Sequence, residues 1–320
     1  MIQRFYLGFT FLFICNTIVS AQNINEALQI IQKTDSVSSK QIQSFYRKIE
    51  KSDPEKTLNS LQKLAEVLQS KGDYKGYLQV SRKLAMKLNG QGKQAAATQL
   101  LIRLLKESQT KSDYRNQSYI LTDLGFVFYY NNQLEKSLDY FKKAFQLKRE
   151  HQLENFGSSY SNLGSVYSKM GIYDSANYYL NNAYNFFLEK NDSQKLAQTL
   201  NNLGALYQRK SSDYLKSKAA FTHAISIYEK LNDPINKGIS IANLGITELK
   251  LTNYDTAKTL LKESLLIAEE NNFKALKKLS LSYLTELFAE KEQFDSAYNY
   301  QNRKYLFLGS LNEKEQARQI

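Results

Sequence analysis

Residues 193–228 read SQKLAQTLNNLGALYQRKSSDYLKSKAAFTHAISIY, and the rest of the chain repeats the pattern of this stretch. Its first half carries apolar residues and a glycine at spacing i, i+3, i+4 and i+7, and its second half carries a similar set: Leu200, Leu203, Gly204, Tyr207; Phe221, Ala224, Ile225, Tyr228. This spacing places the side chains of each half on one face of an α-helix. The stretch therefore predicts two amphipathic helices packed as a hairpin.

The same pattern recurs on both sides of this stretch. Four Leu-Gly pairs occur along the chain, and their glycines are 39, 40 and 41 residues apart: Gly125, Gly164, Gly204, Gly245. A fixed period of this size indicates a stacked array in which each unit buries its apolar face against its neighbours. Only two prolines interrupt the chain, which favours an all-α fold.

These residues resemble the tetratricopeptide repeat family, whose pattern asks for a large residue, Leu-Gly and Tyr on the first helix and for alanines around an aromatic residue on the second. Two units carry the match most fully: Tyr160, Leu163, Gly164, Tyr167, Ala176, Leu180, Ala183; Leu200, Leu203, Gly204, Tyr207, Phe221, Ala224. The resemblance implies a right-handed α-solenoid of antiparallel helix pairs. The period of about 40 residues, against 34 in the commonest form, is similar to that of peptide-sensing bacterial regulators and cargo-binding adaptors.

The chain divides by pattern into four segments. Residues 1–21 are predicted to be a signal peptide, residues 22–73 a helical cap or degenerate repeat, residues 74–308 an array of about six units, and residues 309–320 a charged helical tail. Within the cap we predict helices near 24–33 and 40–50 and a third opened by Asp53 and Pro54. Later units are predicted to begin near polar clusters that can cap helices: Ser112, His151, Asp192, Asp233, Asn272.

The amino terminus is typical of a secretory signal. Arg4 precedes an apolar run from Phe5 to Ile14, and the small residues of Val19-Ser20-Ala21 suit cleavage before Gln22. A retained membrane anchor is the alternative, but the run is shorter than the roughly 20 apolar residues that span a bilayer. The single cysteine, Cys15, follows Ile14 where a lipidation motif requires a small residue. The mature protein is therefore predicted to be periplasmic or extracellular, without a transmembrane span.

The recurring glycines need a structural reason, because glycine inside a helix costs about 1 kcal/mol relative to alanine. We expect them to allow a close approach of the second helix of each hairpin. Alanines of the second helices are expected to form the other side of that contact: Ala176, Ala183, Ala224, Ala257.

The sequence offers little for catalysis. The only histidines, His151 and His223, fall in different units, and the pair of His151 with Glu154 lacks a third metal ligand. No phosphate-binding loop, nucleophile elbow or paired-carboxylate motif is present. We therefore predict a protein that is not an enzyme and that needs neither a cofactor nor a metal.

The candidate binding residues lie on the first helices, immediately before Leu-Gly and at +3 and +7 from that position: Asp123, Asn162, Asn202, Asn243; Ser165, Ala205, Ile246; Lys169, Arg209, Lys250. The resemblance implies that first helices line a concave surface, where amides could bind the backbone of an extended peptide. The alternative is structural, since cations near a helix carboxyl end are also favoured by the helix dipole. The pattern breaks at Tyr283, Glu286 and Glu290, where a ligand should end, while Asp123 and Tyr130 should bound its other side.

Three functions follow as hypotheses. The first is an exported scaffold that binds a peptide or an extended protein segment, with the net charge of +12 favouring an acidic one. The second is the sensing half of a bacterial signal-transduction system that works with a histidine kinase or a transcription regulator. The third, a binder of polysaccharide or nucleic acid, is less favoured because the basic residues do not form one run.

Overall fold

The computed structural model describes residues 24–33, 38–49, 54–154, 156–210 and 213–316, and within these ranges it contains fifteen α-helices and no strand. Up to residue 154 the helices are α1 (Ile24–Lys33), α2 (Ser39–Ile49), α3 (Pro54–Ser70), α4 (Tyr74–Gly90), α5 (Gln94–Thr110), α6 (Tyr114–Tyr130) and α7 (Leu134–Glu150). After residue 155 they are α8 (Phe156–Lys169), α9 (Tyr173–Glu189), α10 (Ser193–Arg209), α11 (Tyr214–Lys230), α12 (Pro234–Lys250), α13 (Tyr254–Glu270), α14 (Lys274–Glu290) and α15 (Phe294–Gln316). The predicted signal peptide and Asp53 lie outside the described residues.

The chain forms two compact units, residues 1–154 and 155–320. In each unit, helices that follow one another in sequence pack side by side, and alternate helices such as α4 and α6, or α8, α10 and α12, also touch. The predicted all-α solenoid of antiparallel helix pairs is thereby confirmed. The division into a cap, six repeats and a tail stays a prediction.

The unusual period has a simple geometric origin. Helices α3–α7 and α9–α14 each contain 17 residues. Most are joined by three-residue turns, such as 91–93 and 231–233. Two such helices and two such turns make a unit of 40 residues, and the added length lies in the helices rather than in loops.

The turns follow one design. Their middle residue has a positive φ, as in Gly92 (77°), Asn232 (51°) and Thr252 (62°). The third residue closes the preceding helix, as Asp233 does when its N–H donates to the Tyr228 carbonyl at 3.0 Å. The same Asp233 carboxylate accepts the Asn236 N–H at 3.1 Å and so caps the next helix. Asp192 caps α10 in the same way, as the sequence predicted.

The recurring glycines permit close helix contact, but their partner is different from the predicted one. A Cβ placed on Gly204 would lie 2.7 Å from the Phe221 ring, and one on Gly164 would lie 2.6 Å from Leu180. Gly125 and Gly245 face Phe141 and Leu261 at the same register. The prediction that alanines form this contact is therefore wrong, because a large side chain fills the space that each glycine leaves. The predicted alanines Ala176, Ala183, Ala224 and Ala257 are instead fully buried.

Aromatic pairs join the two helices of several units. Phe128 stacks on Tyr140 with ring centroids 5.4 Å apart, and Tyr167 stacks on Tyr179 at 5.6 Å. In α12 the residue at this register is Glu248, which is 2% exposed, accepts a hydrogen bond from Asn253 and forms an ion pair with Lys218 at 2.8 Å. In α12 a buried carboxylate thus replaces the aromatic ring, and its ion pair joins α12 to α11 of the preceding unit.

Two local expectations need correction, at His151 and at Asn272. His151 does not begin a unit, because it follows the last residue of α7 and stacks on Tyr114 at 3.5 Å, and α8 starts only at Phe156. The last predicted unit lacks a side-chain cap at its start, since Phe273 rather than Asn272 holds the N-cap position. Residues 309–316 of the predicted tail are helical and continue α15, which ends at Gln316.

Candidate functional site

Three asparagines occupy equivalent positions on α8, α10 and α12 of unit 2: Asn162, Asn202, Asn243. Each is partly buried, and each immediately precedes the leucine that anchors its helix in the core. Because α10 touches both α8 and α12, the three side chains belong to one continuous helical layer. We call this side of α8, α10 and α12 the amide face.

The side-chain amides of the amide face have hydrogen-bonding capacity to spare. Within the described part of unit 2, none of Asn162, Asn202 and Asn243 makes a side-chain hydrogen bond. A primary amide can donate two hydrogen bonds and accept two. A partly buried amide without partners loses part of its hydration and gains nothing in return, so a ligand that pairs with it is favoured.

The predicted cations are present at the carboxyl ends of these helices but are largely engaged. Lys250 forms an ion pair with Glu286 at 2.9 Å, and this contact raises the pKa of the lysine. Arg209 donates through Nη1 to the Ser168 hydroxyl at 3.1 Å, and Lys169, which is partly buried, also has an interaction partner. Lys250 therefore contributes less attraction for an anion than its charge suggests, whereas Arg209 keeps its positive charge because its serine partner is neutral.

Small residues separate the amides from the cations in two of the three helices. Ser165 and Ala205 are partly exposed, whereas Ile246 at the equivalent position is buried at 6% exposure. The Ser165 hydroxyl donates to the Ser161 carbonyl of its own helix at 2.8 Å, so it offers space rather than a donor. The amide face is therefore more open on α8 and α10 than on α12.

Asp123 is a member of unit 1 and differs in chemistry from the three asparagines. Its carboxylate forms an ion pair with Arg82, whose guanidinium lies over the Tyr119 ring at 5.0 Å from the centroid. Burial raises the pKa of Asp123, and the nearby Arg82 offsets part of that effect. Asp123 thus has a protein partner already, while Tyr130, the other predicted boundary residue, is 65% exposed.

Sequence reasoning missed a set of polar contacts beneath the amide face. Gln208 reaches from α10 to α12, where its amide donates to the Asn243 carbonyl at 3.2 Å and to the Thr247 hydroxyl at 3.0 Å. The Ser161 and Thr199 hydroxyls lie 3.1 Å apart between α8 and α10. The sequence held a partial signal, because Thr199 belongs to a register of buried hydroxyls that repeats along the chain: Ser159, Thr199, Ser240, Ser280. These contacts hold the helices that carry the amides in a fixed relation.

Within the described ranges, two kinds of feature are absent. No group of three or more histidine, cysteine, aspartate or glutamate side chains is placed there to hold a metal ion. None of the helices described combines the length and the apolar composition needed to cross a bilayer.

Comparison with known proteins agrees with the fold. Residues 155–230 match the family model of the tetratricopeptide repeat, which confirms the resemblance for that part of the chain. No curated protein matches the sequence. The structure of a Rap protein complexed with Competence and Sporulation Factor is similar at TM-score 0.65 and 13% identity, over 91% of this chain and 78% of that one.

Two more solved structures are similar. BtubC from P. vanneervenii aligns at TM-score 0.60 and 18% identity, over 69% of this chain and 93% of its own. NprR in complex with its cognate peptide NprX aligns at TM-score 0.58 and 15% identity, over 89% and 81% of the two chains. At these identities the likeness establishes the tetratricopeptide-like fold.

Proposed function

We propose that this protein is a non-enzymatic scaffold that binds a peptide or an extended protein segment on its amide face. The observation that carries the proposal is the set of three equivalent, partly buried side-chain amides without hydrogen-bonding partners in unit 2. Amides of this kind can pair with the N–H and C=O groups of an extended chain whatever its sequence. Two proteins of similar fold were solved as complexes, the Rap protein with Competence and Sporulation Factor and NprR with its cognate peptide NprX. The NprR complex supports a peptide as the class of ligand here.

The ligand is recognised mainly through its backbone, and charge has a smaller role. Lys250 is paired with Glu286, so short-range attraction for acidic side chains is limited on α12, while Arg209 on α10 keeps its charge. The net charge of +12 nevertheless favours acidic partners at long range. This contribution should shrink as salt is added, because the Debye length falls to about 8 Å at 0.15 M ionic strength.

The binding test compares peptide capture by matched variants. The protein without residues 1–21 is immobilised and exposed to an extracellular peptide fraction, and the retained peptides are measured by mass spectrometry. We expect the double variant Asn162→Ala with Asn202→Ala to lose about 1–3 kcal/mol of binding free energy, if each of the two amides supplies one hydrogen bond of about 0.5–1.5 kcal/mol. Asn182→Ala serves as the control, since it changes a partly buried asparagine on α9 whose side chain already donates to the Tyr178 carbonyl.

Equal capture by the double variant and the wild type would remove the amide face from the binding site. Circular dichroism of each variant distinguishes lost binding from lost folding. Repeating the capture at 0.05 M and 0.5 M salt separates the backbone contribution from the long-range charge contribution, because hydrogen bonds with a neutral backbone respond weakly to salt.

We also propose that the protein is exported, on the evidence of the signal-like residues 1–21. The second hypothesis is that the protein is the sensing half of a signal-transduction system and acts together with an output protein. This hypothesis rests on the sequence resemblance. An output partner would be recovered by crosslinking in a peptide-dependent manner, whereas a simple scaffold would retain the peptide alone.

A further inference from the structure

A second concave site lies in unit 1, between α3, α4 and α5. It is a groove of about 490 Å³ whose floor is formed by Tyr77, Ser81 and Leu84 of α4. Its two walls are α3, which carries Glu66, and α5, which carries Arg103. This volume is within the range of sites for small organic molecules.

The groove is open because small residues line it. Leu100 stands in α5 where α7, α9 and α15 carry Tyr140, Tyr179 and Tyr300, each stacked on an aromatic ring of the preceding helix. Ala65 and Ala96 add little bulk to the walls. Space that stacked rings occupy in other hairpins is therefore accessible in this one.

Two hydroxyl groups at the floor have no partner. Tyr77 is 4% exposed and Ser81 is 1% exposed, and both line the groove one helical turn apart on α4. Within the described part of the chain, neither hydroxyl makes a hydrogen bond. Neither hydroxyl oxygen is among the buried side-chain atoms that lack a partner, so both remain accessible from the groove. A ligand in the groove can therefore form a hydrogen bond with each of them.

The charged groups of the walls define the class of ligand. Glu66 accepts only a hydrogen bond from Gln62 on its own helix, at 3.1 Å. In the residues described, neither Glu66 nor Arg103 forms an ion pair. A carboxylate on one wall and a guanidinium on the other complement a molecule that carries an ammonium and a carboxylate group.

We propose that this groove binds a small zwitterion, a free amino acid or a dipeptide. The ammonium group pairs with Glu66, the carboxylate pairs with Arg103, and the polar atoms between them meet the Tyr77 and Ser81 hydroxyls. The site is separate from the amide face and uses none of its residues. It would let the protein respond to a small metabolite independently of any longer peptide.

The test is a calorimetric titration of the protein without residues 1–21 with each of the twenty common L-amino acids and with dialanine. We expect at least one of these zwitterions to bind, and its N-acetylated and amidated derivatives to bind at least tenfold more weakly. The variants Glu66→Gln and Arg103→Gln should each weaken binding at least tenfold. Ser81→Ala and Tyr77→Phe should weaken it as well, by removing the floor hydroxyls.

Lys106→Ala, which changes an exposed cation of α5 outside the groove, is the matched control and should leave the affinity unchanged. Glu66 and Arg103 are exposed, so their substitution should leave the core intact. Circular dichroism should then give the same helical spectrum for the variants as for the wild type. The proposal is overturned if none of the twenty-one zwitterions binds at millimolar concentration. It is equally overturned if the N-acetylated or amidated derivatives bind the wild-type protein as tightly as the free zwitterion does. The same holds if the variant with both Glu66 and Arg103 replaced binds the zwitterion as tightly as the wild type does.

Discussion

At the scale of single residues, Asp233 shows how one side chain can serve two helices. Its carboxylate accepts hydrogen bonds from the Asn236 N–H at 3.1 Å, from the Asn236 side chain at 2.7 Å and from Gln194 at 3.2 Å. Burial alone would raise the pKa of Asp233, but these hydrogen bonds together lower it. The carboxylate form is therefore the one that stabilises the folded state.

The sign of the pH dependence follows from this shift. Because the folded-state pKa lies below the unfolded value of about 3.9, the stabilisation is complete above that value and is lost as the pH falls through the folded pKa. We expect Asp233→Ala to cost about 1 kcal/mol at pH 7 and distinctly less at pH 2.5. Asp233→Asn keeps a good cap and should lose only the pH dependence. Urea unfolding at several pH values measures both, and a cost for Asp233→Ala that is the same at pH 2.5 and pH 7 would contradict the assignment.

The caps at Asp192 and Asp233 could be predicted from sequence, because an acidic residue before an apolar periodic run is a strong local signal. Whether the side chains at the amide-face register would find hydrogen-bonding partners could not be predicted. Asn162, Asn202 and Asn243 share a register with Asp123, yet only Asp123 has a partner, Arg82, which comes from a neighbouring helix. Such a pairing depends on rotamers and on the distance between helices, and a one-dimensional pattern contains neither.

At the scale of helices, the fit between glycine and a large side chain holds the hairpins together. The Phe221 ring is fully buried and lies against Gly204. It fills the space that is left because glycine has no side chain. Close packing of this kind tolerates added volume poorly. Leu261 fills the corresponding space at Gly245.

We expect Gly204→Ala to destabilise the protein by about 1–2 kcal/mol, because the overpacking cost of about 1–3 kcal/mol exceeds the helix-propensity gain of up to about 1 kcal/mol. Gly309→Ala is the control, since a Cβ at Gly309 meets nothing within 4 Å, and it should be neutral or stabilising. Adding Phe221→Ala to Gly204→Ala should cost less than the sum of the two single changes. Strict additivity in urea unfolding would show that the two residues do not share one space.

The sequence predicted that the glycines mark close helix approach, because four glycines in one helical register need a common cause. It did not predict the partner. Pairing small residues with small residues is the simplest way to bring two helices together, but these hairpins use one small and one large residue. The clue was present at a fixed distance: Phe141, Leu180, Phe221 and Leu261 each follow their glycine by 16 or 17 residues.

At the scale of the whole molecule, the repeat period of the sequence was enough to predict the all-α architecture of stacked helix pairs. The interval between glycines predicted stacked helix pairs from Tyr74 onward, and helices of 17 residues account for it. Regions without the repeat were harder. The groove of unit 1 could not be predicted, because it is the space that the side chains of Leu100 and Ala96 leave empty. An empty space between helices has no motif in the sequence.

The proposed export gives a prediction for the whole chain. If residues 1–21 are a cleaved signal peptide, the mature protein should begin at Gln22. Expression with the full amino terminus in a bacterial host, followed by fractionation and mass spectrometry of the intact protein, measures the site. A full-length protein that remains in the membrane fraction would instead favour the retained anchor. Replacing apolar residues of 5–14 with lysine should block processing in the first case.

The turns between helices also restrict how the chain can change in length. Asp233 ends one helix through its backbone N–H and starts the next through its carboxylate, and a single extra residue in 231–233 would separate these two roles. Both neighbouring helices would then lose a terminal hydrogen bond from one insertion. Relatives of this protein should therefore gain or lose residues in whole helical hairpins, or in connections that lack this double role, such as the longer one between Glu150 and Phe156.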